Sequence, residues 1–275
     1  MQSFEIHPVT PTIGAEIGPL DLATDLDEEV IRALREALLE HVVLFFRDQK
    51  LSPEQHVALA RRFGEPHLAA VTTRHGGPPE IVVLNQSAPR GDGADRWHSD
   101  EGYLPEPPMG TILKAVELPP VGGDTLFSNM ATAFEMLPED LKEEIDGLRA
   151  VNDITPAARR AIDAGHMEAD LAEVQKAFPP SIHPVVRRHP ETGRKTLYVN
   201  GNATTRILDL PEDESDRLLE RLFAQAALPD VQCRFRWRPG SVAFFDNRAA
   251  QHYAVPDYTA RRIMHRVTIR GDRPR

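Results

Sequence analysis

The chain carries one cysteine, Cys233, in 275 residues, so it cannot close an internal disulfide, and a zinc cluster built on thiolates would lack ligands. Long apolar runs are missing too. The longest, around Val42 to Phe46, is far shorter than the roughly 20 residues that a membrane-spanning helix needs. There is no excess of basic residues: 42 acidic side chains against 32 lysines and arginines give a formal charge of -10, which argues against a nucleic-acid-binding surface. The first residues, Met1-Gln2-Ser3-Phe4-Glu5, lack the basic start and apolar stretch of a secretory leader, so the expected location is the cytoplasm. Internal repeats, low-complexity tracts and linkers are absent, and the 24 prolines are spread along the chain. The expectation is one domain over residues 1–275, long enough to bury a sizeable core with its 41% hydrophobic residues.

Val30, Leu34 and Leu38 recur every four residues behind the acidic run Asp25 to Glu29, which predicts a helix with favourable charge at its N-terminus. Val42-Val43-Leu44-Phe45-Phe46 is β-branched and aromatic and reads as a buried strand. Ser52-Pro53-Glu54-Gln55 supplies an N-cap, a first-turn proline and a capping-box glutamine for a helix that runs to Phe63 and stops at Gly64. Later, Leu218, Leu219, Leu222, Phe223 and Ala226 mark a helix that opens with Pro211-Glu212-Asp213-Glu214. Val231, Cys233, Phe235 and Trp237 alternate with Gln232, Arg234, Arg236 and Arg238, the period of a half-buried strand. Val242 to Phe245 and Arg262 to Ile269 read as two more strands. Helices flanking a late run of strands, without regular strand-helix alternation, predict a mainly β chain with an antiparallel core.

The stretch richest in chemistry is Arg96-Trp97-His98-Ser99-Asp100-Glu101. On a strand His98 and Asp100 project from one face, and with a third ligand they could form the two-His-one-carboxylate set that leaves open positions on a non-haem Fe(II). Taken alone, such a tripeptide is more often a surface or hydrogen-bonded histidine. The far end adds Asp246-Asn247-Arg248, His252, Asp257, Arg261, Arg262, His265 and Arg266. Arg262 and Arg266 fall on one face of an extended strand, roughly 13 Å apart, with Arg261 on the other.

His98-x-Asp100, then His252 after 154 residues and Arg266 another 14 on, is a combined spacing far more specific than any of its parts. It resembles the Fe(II)/2-oxoglutarate-dependent dioxygenases of the taurine dioxygenase and 2,4-dichlorophenoxyacetate dioxygenase group. The blocks Ile13-Gly14-Ala15-Glu16-Ile17, Phe46-Arg47-Asp48-Gln49, Arg62-Phe63-Gly64, Gly122-Gly123-Asp124-Thr125, Tyr198-Val199-Asn200 and Asp246-Asn247-Arg248 extend the likeness over nearly the whole chain. The resemblance implies a double-stranded β-helix (jelly-roll) core with helical cover. It implies His98, Asp100 and His252 as catalytic iron ligands, with Asp257 and His265 left as structural polar groups. Thr125 and Arg266 would bind the 2-oxoglutarate cosubstrate, because a guanidinium can hold a carboxylate through two parallel hydrogen bonds. Arg262 would hold the anionic group of the primary substrate. Fe(II), 2-oxoglutarate and O2 are then the reagents, and the reaction hydroxylates a C–H next to an anionic group of a small molecule, giving succinate and CO2.

The pattern departs from the taurine-specific branch where substrate identity is written: Ala69, Thr72, Ala94 and Ala203 stand where larger or hydrogen-bonding groups are expected, which makes taurine a poor fit and the pocket wider. Sulfonates, sulfate esters and carboxylates remain as substrate classes. Trp97, Tyr103 and Phe127 are candidates to line the cavity, and residues 157–175 are a candidate cover. The alternatives are a non-catalytic member of the same fold that binds a small acid or a metal, and a zinc hydrolase. The expected partners are a small anionic organic substrate, no nucleic acid and no membrane. Assembly stays open, a homo-oligomer, dimer or tetramer, being common in the family that the chain resembles.

Overall fold

The computed structural model describes residues 4–68 and 77–275. Among these a seven-stranded sheet runs in the spatial order Glu5–Pro8, Ala15–Gly18, Val43–Phe46, Val242–Asp246, Gly110–Glu117, Arg262–Ile269 and Val82–Gln86. Every neighbouring pair is antiparallel except Ala15–Gly18 beside Val43–Phe46. A three-stranded antiparallel sheet, Gln232–Phe235, Thr125–Asn129 and Ala250–Ala254, packs against it. The chain is thus mainly β with flanking helices, as its periodicities predict.

Alternation along the strands explains how the layers meet. Val43, Phe45, Leu113, Phe245 and Met264 of the large sheet share one buried cluster with Phe127, Cys233 and Phe235 of the small one. Phe45 stacks on Phe235 with ring centroids 4.0 Å apart. The intervening residues Leu44, Phe46, Ile112, Val242 and Phe244 point the other way, beneath helices Glu28–His41 and Pro53–Arg61. The Pro53–Arg61 helix carries the predicted capping box, with Ser52 Oγ accepting from Gln55 N and Gln55 Oε1 accepting from Ser52 N. A third cluster joins helices Met130–Glu135, Glu139–Ile145 and Glu212–Phe223 to the sheet Thr204–Ile207, Arg149–Asn152, Ser181–Pro184.

The strand expected over 231–237 is hydrogen-bonded only over Gln232–Phe235, yet its alternation continues, with Trp237 buried and Arg234, Arg236 and Arg238 exposed. Arg234 is paired with Asp124 at 2.7 Å, the outer-face position that the pattern implies. Sequence periodicity missed the two strands nearest the N-terminus. Glu5–Pro8 is exposed throughout and each strand has four residues, too few to establish a period. Among the described residues no helix is long and apolar enough to cross a membrane.

Candidate metal centre

His98 and His252 meet across a single antiparallel bridge that adds one residue to the edge of the small sheet. They exchange both main-chain hydrogen bonds, His98 N to His252 O at 3.0 Å and His252 N to His98 O at 2.8 Å. Residues directly opposite in such a pair project to the same face, and the two rings lie 4.1 Å apart between centroids. Asp100, two residues on, completes a buried group in which one ligand-capable atom from each side chain lies within 4.8 Å of the others.

The donor chemistry of this group fits a divalent transition metal. His98 Nδ1 donates to the Arg96 carbonyl at 2.7 Å, which in the neutral ring leaves the Nε2 lone pair for an ion. Burial, followed by the neighbouring His98 ring, pushes the His252 pKa down to about 3, so this imidazole is neutral at physiological pH. Burial raises the Asp100 carboxyl, but Arg266, His252, His98 and the Thr111 hydroxyl together outweigh it and hold the group at about 2. Thr111 Oγ1 donates to Asp100 Oδ2 at 2.7 Å and Arg266 Nη1 to Oδ1 at 2.8 Å. Two imidazoles and one carboxylate are the ligand set of open-sided Fe(II) sites.

Arg262 and Arg266 both point between the sheets from one strand, as their spacing predicts, but they end in different surroundings. Arg262 is 3% exposed, and its guanidinium lies 5.9 Å from the centre of the Trp237 ring and 6.0 Å from that of Tyr258. Trp237 Nε1 donates to Thr125 Oγ1 at 3.0 Å, so Thr125, Trp237 and Arg262 form one corner. Nε and Nη2 of Arg262 are buried with no hydrogen-bond partner among the described residues. Arg266 instead bonds Asp100, with Glu101 Oε1 3.6 Å from its Nη2. Arg262 is thus linked to Thr125 through Trp237, while Arg266, which the sequence pairs with Thr125, reaches Asp100. Periodicity puts both arginines on the inner face and says nothing about which end of the cleft each reaches.

Asp257 and His265 stand outside the metal group. Asp257 Oδ1 accepts from Gly123 N at 2.8 Å. It thereby closes the turn before Thr125, where Gly122 has φ +85° and a Cβ would lie 2.6 Å from the same oxygen. His265 is on the opposite face of its strand from Arg266, near the buried His56.

Beside the triad lies a cavity of about 390 Å³, bordered by His98, Asp100 and Arg266 on one side and by Ala157, Ala158, Ala161, Val174 and Phe178 on the other. These last residues come from helices Thr155–Asp163 and Leu171–Ala177 and from the residue that ends the second, so the segment expected as a cover lines the site. Tyr103 borders the cavity and meets Phe178 with ring centroids 5.4 Å apart. Trp97 packs on Tyr253 instead, and Phe127 is buried between the sheets. Ala94 and Ala203 line the cavity, while Ala69 and Thr72 fall outside the described residues. Sequence reasoning missed Thr111, Trp237, Tyr258 and Asn247. Trp237 had a visible signal in its inward place in the alternation, and Asn247 in the block Asp246-Asn247-Arg248.

A model of the taurine catabolism dioxygenase TauD, TfdA family matches residues 5–268. The chain is 36% identical to an alpha-ketoglutarate-dependent sulfate ester dioxygenase of Pseudomonas putida, over 98% of this chain and 91% of that one. It is 35% identical to the (S)-phenoxypropionate/alpha-ketoglutarate-dioxygenase of Sphingobium herbicidovorans, over 98% and 96%. The crystal structure of AAD-2 in complex with Mn(II) and N-oxalylglycine superposes with a TM-score of 0.84 at 27% identity, covering 99% of each chain. With the family model covering nearly the whole chain and the His-Asp-His group assembled in its cleft, this protein belongs to the TauD, TfdA family of dioxygenases.

Proposed function

We propose that the chain is an Fe(II)- and 2-oxoglutarate-dependent dioxygenase that hydroxylates a C–H next to the anionic group of a small molecule with an apolar body. The observation that carries this reading is the buried His98, Asp100 and His252 group with two inward arginines of separate surroundings. In the same reading the two packed sheets are the double-stranded β-helix core of the fold. When bound, iron with O2 and 2-oxoglutarate supplies the oxidising power: the cosubstrate loses CO2 to become succinate, and one oxygen atom enters the substrate C–H bond.

The protein's own share is positioning and exclusion of water. His98 Nε2, His252 Nε2 and the Asp100 carboxylate would hold the metal. We assign the distal carboxylate of 2-oxoglutarate to Arg262 and the Thr125 hydroxyl, which exchanges the two arginine roles inferred from sequence. The support is the Thr125, Trp237 and Arg262 corner and the two unpartnered guanidinium nitrogens there. A buried cation with free donors is costly unless an anion completes it. Arg266 borders the cavity and would read the substrate's sulfonate, sulfate ester or carboxylate. The alanines around that cavity, Ala94, Ala157, Ala158, Ala161 and Ala203, leave room for an apolar body larger than the two-carbon chain of taurine. If the hydroxylated carbon bears sulfonate, sulfate or an aryloxy group, the product collapses to a carbonyl compound and releases sulfite, sulfate or a phenol.

The test is succinate formation under air by Fe(II)-loaded protein across taurine, longer sulfonates, alkyl sulfates, phenoxyacetates and amino acids. Stimulation by one anionic class, lost in Arg266→Ala, supports the reading. Tight binding of iron and 2-oxoglutarate with no succinate from any of them favours a non-catalytic member of the fold.

A further inference from the structure

We propose that Asn247 is a positioning residue of the metal centre, a side-chain clamp that fixes Asp100 relative to His252. The inference rests on reading His98, Asp100 and His252 as metal ligands. Asp100 lies outside any strand, since the pairing that holds the first ligand is the single bridge between His98 and His252. The next residue, Glu101, turns the chain away with φ +51°. The main chain at Asp100 finds its partners in the Asn247 amide: Oδ1 accepts from Asp100 N at 2.7 Å and Nδ2 donates to Asp100 O at 2.9 Å. The same Nδ2 donates to Pro108 O at 3.1 Å, and Asn247 N donates to Met109 O at 3.0 Å. One fully buried side chain thus replaces a strand partner and closes the loop that carries the carboxylate ligand.

Asn247 sits in the turn that joins Val242–Asp246 to Ala250–Ala254, five residues before His252. The turn is itself braced. Arg248 donates to both carboxylate oxygens of Asp246, at 2.8 Å from Nε and 2.6 Å from Nη2, and His189 Nε2 lies 3.0 Å from Asp246 Oδ2. Asp100 and His252, far apart in sequence, are therefore referenced to the same rigid turn. The geometry also requires an amide. A carboxylate could accept from Asp100 N but would face the carbonyls of Asp100 and Pro108 with no proton to give, and an apolar side chain would leave the Asp100 peptide buried and unsatisfied.

The experiment is a titration of Mn(II) into the metal-free full-length protein, followed by the paramagnetic resonance signal of the free ion. Wild type, Asn247→Asp and Asn247→Ser are compared, with Ser52→Ala as a control that lowers stability far from the site. The expected result is a loss of Mn(II) affinity of about 10- to 100-fold in Asn247→Asp, the range typical of outer-sphere metal-site partners, with Ser52→Ala unchanged. If Asn247→Asp does not fold, Asn247→Ser carries the same expectation. Mn(II) affinity within twofold of wild type in a folded Asn247 variant overturns the clamp while leaving the metal centre standing. A folded wild type that binds no Mn(II) overturns the metal-centre reading and the clamp with it.

Discussion

Arg262→Met separates the two arginines and has opposite effects on binding and on stability. Arg262 is 3% exposed, and Nε and Nη2 have no partner among the described residues. Leaving such donors buried costs about 1–3 kcal/mol. Methionine, of similar reach and without charge, removes that cost, while the hydrogen bond and electrostatic attraction to the Tyr258 phenol are also lost. The net expectation is a gain of about 1 kcal/mol, or roughly 2–4 °C in Tm for a chain near this size. With 2-oxoglutarate the sign reverses. Truncating one partner of a buried charge pair costs about 2–5 kcal/mol, which is about 30- to 4,000-fold in cosubstrate affinity. The assay is anaerobic calorimetric titration of 2-oxoglutarate into Mn(II)-loaded protein, alongside thermal melts of the metal-free form. Unchanged cosubstrate affinity in Arg262→Met, with a large loss in Arg266→Met, would refute the assignment of the cosubstrate carboxylate to Arg262.

Three further outcomes follow from the same geometry. Ala161→Phe projects a ring into the cavity from helix Thr155–Asp163; KM for the bulkiest accepted anion should rise about tenfold, equivalent to about 1.4 kcal/mol, while that for the smallest changes little, and equal effects on both would show that the substrate body lies elsewhere. Ser52→Ala removes the cap of helix Pro53–Arg61, costing about 1 kcal/mol and lowering Tm by about 2–4 °C with succinate formation intact; an unshifted melting curve would contradict it. Burial raises the Asp246 carboxyl, but hydrogen bonds and charge from Arg248, then His189, override it and hold the group below the usual carboxylate range. A group depressed in the folded state stabilises fully above its unfolded pKa of about 4, and that contribution is lost as pH falls through the folded value. Asp246→Asn should therefore be less stable near neutrality and lose less stability between pH 6 and pH 3 than wild type, as read by denaturant titration; parallel acid limbs would refute the linkage.

The sequence by itself determined the parts that rest on short-range regularity. Val30, Leu34 and Leu38 fix a helix face, Ser52 and Gln55 a capping box, and Arg262 to Ile269 a strand, because periodicity and capping act within a few residues. It also marked His98, Asp100 and His252, through a spacing specific enough to point to a family. Their convergence was decided in three dimensions by one bridge between residues 154 apart, a pairing that no local pattern encodes. The same holds for the supporting side chains. Thr111, Trp237 and Asn247 act through contacts across sheets and loops, so their residue types alone carry no signal of what they hold. The arginines show the division most plainly. Alternation placed Arg262 and Arg266 on one face, but only the packing of the two sheets linked Arg262 to Thr125 through Trp237 and left Arg266 at Asp100 and the cavity.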